Sequence, residues 1–160
     1  MAEQAFQDLV DWQCYGCGRL NDHGLQIKSC WNGNEVMCTW HPQPFHVGHP
    51  GRLQGGLIAT VVICHDVWAA TAEAHRKEGR EIREPLDFAY STTSLKLDLF
   101  KPVPIDCALT FRARVKDMHD DRATVACSVL VNGEECARAE TQHLRVALGG
   151  SSRPNDQRMD

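Results

Sequence analysis

Long apolar runs are missing from this 160-residue chain: none approaches the roughly 18 consecutive apolar residues of a membrane span. The acidic N-terminal segment, with Glu3, Asp8 and Asp11, lacks the charged leader and apolar stretch of a secretory signal. Excess charge of either sign is missing too. A net charge of -4 supplies no global reason to seek nucleic acid or an anionic membrane, so any phosphate contact must be local. These absences predict a soluble cytoplasmic protein with neither nucleic acid nor membrane as partner. Disulfide and metal signatures are incomplete. The eight cysteines, at 14, 17, 30, 38, 64, 107, 127 and 136, sit mostly in or beside apolar runs, where a reduced thiol behaves as a small hydrophobe. Cys14-x-x-Cys17 has half of a zinc ligand set. Cys30, Cys38, His23, His41, His46 and His49 are available, but no second Cys-x-x-Cys or His-x-x-x-His pair accompanies it. The expectation is no metal and no cofactor.

What is present is strong local punctuation. Residues 2–12 can form a short helix with Phe6, Leu9, Val10 and Trp12 inward, followed by a glycine-rich turn from Gly16 to Gly24. Two strands are predicted at Leu25–Trp31 and Glu35–Trp40, joined by the Asn32-Gly33-Asn34 turn. A proline-punctuated loop covers 41–50. From Gly55 to about Glu78, Ile58, Val61, Val62, His65, Trp68, Ala69 and Ala72 recur at three- and four-residue spacing and define one helical face, which Gly79 ends. Four further strands are predicted at about 90–100, 107–117, 122–131 and 135–146, with turn residues at 119–121 and 132–134. The fold class is therefore α+β. Residues 1–13 are read as an extension, 14–148 as one domain, and the small, polar stretch 149–160 as a disordered tail.

The segment from Gly48 to Gly56, running into Leu57-Ile58-Ala59-Thr60, carries most of the chemical information. A glycine pair opening a helix leaves main-chain N–H groups at the positive helix end, with no side chain in the way of an approaching oxygen.

Three motifs in order resemble the PaaI-type acyl-CoA thioesterases of the hotdog fold, in which an antiparallel sheet wraps one long central helix. They are Cys14-Tyr15-Gly16-Cys17-Gly18 with Asn21 and Gly24-Leu25; Gly48 to Gly56, with Gln54 where the family pattern has histidine; and Thr92 to Pro102. The resemblance covers roughly residues 14–146. It implies that the Gly56 N–H polarises a thioester carbonyl, and such a donor is worth on the order of 10²- to 10³-fold in rate. It also implies a homodimer or homotetramer with the site shared between subunits, and a water-holding hydroxyl at Thr92. The family's helix carboxylate falls on Ile63, which cannot accept a proton.

Asp66 is the replacement to test, because at 100° per residue it points about 60° from the Ile63 direction, at the edge of the apolar stripe, where it would reach a cleft. Gln54 can orient the thioester or hold the glycine turn. The expected catalytic set is Gln54, Gly56, Asp66 and Thr92, with Gly55, His65 and His49 on the substrate side. His65 lies mid-stripe, where a satisfied core histidine competes with a ligand role. The expected function is hydrolysis of an acyl-CoA or acyl-carrier-protein thioester. The alternatives are a hotdog protein that binds an acyl or aromatic ligand without turnover, and a hotdog dehydratase or isomerase using His65 or His49.

Overall fold

The apolar spacing from residue 55 onward produces helix α1, Gly55–Lys77, in the computed structural model, which describes residues 3–149. Its expected inner face is buried as predicted, from Ile58 through Val61, Val62, His65, Trp68, Ala69 and Ala72. Gly79, with φ 65°, is the left-handed stop, and Arg80 N–H closes back on His75 O at 2.8 Å. One expectation is corrected here: α1 is long and apolar enough to cross a membrane by length and composition. Its interrupted run escapes a count of consecutive apolar residues, and more than half of the apolar window is buried inside the protein, as befits a core helix.

Strands β1 (Cys30–Asn32), β2 (Glu35–Trp40), β3 (Phe88–Leu99), β4 (Leu109–His119), β5 (Arg122–Val131) and β6 (Glu134–Ala147) form one antiparallel sheet in the order β1-β2-β4-β5-β6-β3. Helix α1 lies across one face and packs on β2 to β6. Val61, Val62, Leu109, Phe111, Val125, Val129 and Ala137 fill the space between them. The turns follow their residues. Gly33, Asp120, Asn132 and Gly133 all have positive φ, which Gly, Asn and Asp tolerate best.

Two segments differ from the sequence reading. Residues 25–29 are not strand, because Gln26 has φ 54° and the chain there is pinned to the preceding turn by Leu25 N–H to Tyr15 O and Ile27 N–H to Gly16 O. The predicted N-terminal helix is only a 3₁₀ turn, Phe6–Leu9, although Phe6 and Val10 are buried as expected. The polar stretch after Gly149 lies outside the described residues.

The β3–β6 pairing has one irregularity. Thr92 pairs with His143 and Ser94 with Gln142, so Thr93 is an extra residue in β3. Strand β3 forms one edge of the sheet, with its outer side unpaired among the described residues.

Candidate active site

At the mouth of α1, Gln54 is the N-cap, and its Oε1 accepts from Leu57 N–H at 3.1 Å. Gln54 therefore holds the helix start, one of the two roles its amide allows. Gly55 sits against strand β3, where an added Cβ would stand 3.1 Å from Leu99 Cδ1. Gly56 is exposed, and its N–H is one of the first-turn donors that an α-helix leaves without an internal partner. No other group among the described residues accepts from it.

A cavity of about 470 Å³ lies between the middle of α1, strand β3 and the Cys14–Cys17 turn. Ile63 and Thr92 both line it, together with Trp12, Trp68, Tyr90 and Leu95. The position lacking the family carboxylate and the expected hydroxyl therefore share one wall. Thr92 is partly buried, and its Oγ1 lies 3.2 Å from His143 Nδ1.

Behind Thr92 runs a chain of polar groups through the core. His143 Nε2 lies 2.7 Å from Thr141 Oγ1, and Thr141 Oγ1 donates to Asp66 Oδ2 at 2.6 Å. Asp66, Thr141 and His143 are all buried. With the Thr141 proton committed to Asp66, His143 must donate from Nε2 and accept from Thr92 at Nδ1, so each link points inward toward the carboxylate. Burial raises the Asp66 carboxyl to about 7, opposed by the Thr141 hydroxyl, while burial lowers His143 to about 4. Asp66 Oδ1 has no hydrogen-bond partner among the described residues.

These positions correct three expectations. Asp66 does not reach the cleft: it is fully buried against β5 and β6, because 60° around the helix from Ile63 carries it under the sheet. His65 is sealed in the core rather than facing substrate. Its Nε2–H donates to Val36 O at 3.0 Å and its Nδ1 accepts from Ser29 Oγ at 2.8 Å, which leaves no ring nitrogen free. Burial lowers it to about 4. His49 is exposed in the loop before α1 and lies outside the cavity lining. Sequence reasoning missed Thr141 and His143, since nothing local marks two strand residues that meet a helix residue 75 positions away. It also missed Cys64, whose sulfur lies 3.8 Å from Cys14 on the same cavity wall.

The basic strand residues are largely consumed by local pairs. Arg112 and Arg114 share Glu35, and Lys116 pairs with Glu140.

No family model matches the chain. Among solved structures, it is similar to a thioesterase-superfamily protein from Shewanella loihica PV-4, at 27% identity over 78% of this chain and 94% of that one, with a TM-score of 0.62. The E. coli PaaI protein of the phenylacetic acid degradation operon shares the fold at 13% identity, covering 79% of this chain and 83% of that one, with a TM-score of 0.63. Among curated proteins, the acyl-coenzyme A thioesterase THEM4 of Xenopus laevis is 21% identical over 133 residues, 81% of this chain and 54% of THEM4. The chain thus spans about half the length of that curated relative.

Proposed function

From a chain that carries the hotdog fold and is similar along most of its length to thioesterase-superfamily proteins, we propose a cytoplasmic hydrolase of acyl-CoA or acyl-carrier-protein thioesters. The observation that carries this reading is the buried chain Thr92–His143–Thr141–Asp66, which ends on the cavity wall beside Ile63. It gives a chain without the usual helix carboxylate an indirect way to deprotonate water. Water held by Thr92 passes a proton to Thr92 Oγ1 as Thr92 passes its own to His143 Nδ1. His143 Nε2 protonates Thr141, and Thr141 protonates Asp66. Hydroxide attacks the carbonyl carbon, and the resulting oxyanion is stabilised by a Gly56 N–H. When the C–S bond breaks, the same chain runs backward and returns the proton to the departing thiolate. A carboxyl held at about 7 is matched to this work near neutral pH.

Gly56 precedes Ile63 by seven residues, about 10 Å along the helix axis, and is not on the cavity wall. The donor therefore comes from a second copy of the chain, docked along the open β3 edge, in a homodimer or homotetramer. Gly55 keeps the helix mouth close to that edge.

The test is free-thiol release from short, long and aromatic acyl-CoAs and from acyl-carrier protein. Turnover is expected, with Asp66→Asn and Thr92→Val each lowering kcat by about 10² at little change in KM. The rising limb of the pH–rate profile near 7 should disappear in Asp66→Asn. Unchanged turnover in both variants would remove the relay. The second reading, ligand binding without turnover, is favoured by Ile63 at the cavity wall, and tight acyl-CoA binding with no thiol released would establish it.

A further inference from the structure

We propose that Cys14, Cys17 and Cys64 form a thiolate site for a thiophilic d¹⁰ cation, Zn²⁺ or Cu⁺, with one coordination position open to the cavity. The three sulfurs lie within 4.8 Å of one another, and among the described residues no other group of three ligand atoms gathers in this way. The Cys14–Cys64 separation of 3.8 Å equals the edge of a tetrahedron whose metal–sulfur bonds are about 2.3 Å, so that pair already stands at ligand spacing.

The backbone is shaped to bring these groups together. Gly18 N–H bonds to Cys14 O at 2.8 Å and folds the Cys14–Cys17 turn back on itself, while bonds from Leu25 and Ile27 fix the turn to the following segment. Cys64 arrives from α1, and it can do so only because Gly16 has no side chain. A Cβ at Gly16 would stand 2.3 Å from Cys64 Sγ. Trp68 Nε1–H donates to Cys17 Sγ at 3.4 Å, an N–H to sulfur bond of the kind that orients a metal ligand and offsets its charge.

Access fits the same assignment. Cys17 is buried, Cys64 is partly buried, and Cys14 is exposed, so the site has a solvent entry. A cation bound here takes the place of the thiol protons. Soft thiolate ligands select Zn²⁺ and Cu⁺ over hard cations. Water from the cavity completes a tetrahedron in the zinc case, whereas three sulfurs alone suffice for Cu⁺.

The experiment uses the full chain, purified under reductant, stripped with a chelator and titrated anaerobically with Zn²⁺, Cu⁺ and, as a spectroscopic probe, Co²⁺. Uptake of about one ion per chain is expected, with release of protons and a thiolate-to-cobalt charge-transfer band in the near ultraviolet. The Zn²⁺ and Cu⁺ arms, each run against a competing chelator, identify the preferred cation. Cys64→Ser and Cys14→Ser should each weaken binding by at least about 100-fold and abolish the band, while Cys136→Ser leaves both unchanged. Circular dichroism checks the fold, and the exposed Cys14 position supplies the readout if Cys64→Ser does not fold. Absence of uptake by the reduced chain, or a band that survives Cys14→Ser, would overturn the proposal, as would quantitative Cys14–Cys17 disulfide in a chain that takes up no metal. Binding is read without any turnover, so failure here is distinct from failure of the hydrolase reading.

Discussion

Asp66 carries a penalty that its surroundings only partly relieve: among the described residues it accepts one hydrogen bond, from Thr141, and its other oxygen has none. Its carboxyl, raised by burial from 3.8 to about 7, favours the folded state fully below about pH 4 and loses that contribution as pH rises through 7. The difference amounts to about 4 kcal/mol. Denaturant titrations should therefore show Asp66→Asn matching the parent near pH 4 and exceeding it by up to that amount at pH 8. The two buried histidines act oppositely. His65 and His143, lowered from 6.5 to about 4, contribute stability above 6.5 that disappears as pH falls through 4, so replacing His143 by Gln should flatten the acid side of the same titration. The sequence made Asp66 visible as an ionisable residue near the vacant position. Its burial was not legible, because it depends on Thr141 and His143 arriving from a distant strand.

At the scale of elements, most boundaries were readable. The helix was bracketed by Gln54 and Gly79, and three of the tight turns sit where Gly, Asn and Asp had placed them. Gln54 shows how one residue serves both fold and site: removing its cap by Gln54→Ala should lower stability by about 1 kcal/mol, read as a drop in Tm. The same variant should reduce kcat if an orderly helix mouth is what presents Gly56. Gly133, at φ 79° in the β5–β6 turn, should cost about 1 kcal/mol or more as Gly133→Ala, measured by the same melt. The failure at 25–29 has a plain origin. Those residues alternate like a strand, but their main-chain partners are turn carbonyls at Tyr15 and Gly16, which no periodicity reveals.

Across the whole molecule, one long strand is left open at the sheet edge, and the apolar Leu99 and Phe100 at its end are half exposed. Sedimentation should detect a dimer, and dilution should dissociate it with a parallel fall in turnover, since neither copy alone would hold both Gly56 and its facing cavity. Turnover per chain that is constant across the dissociation would contradict shared sites. The three-sulfur cluster belongs to this scale as well. Its Cys14–Cys17 half was plain in the sequence, but Cys64 lies 50 residues from Cys14, and only the packing of α1 against the turn unites them.

The additional residue in β3 sets the phase of everything after it. Phe88, Tyr90 and Thr92 alternate toward the helix, and beyond Thr93 that duty passes to Leu95 and Leu97, opposite Thr141 and Ala139, while Lys96 and Asp98 stay in solvent. Were Thr93 paired in regular register instead of bulged, strict alternation would turn Ser94, Lys96 and Asp98 inward and put Leu95 and Leu97 in water. The bulge at Thr93 thus lets the hydroxyl wall of the cavity and the greasy end of the strand occupy the same side of one sheet.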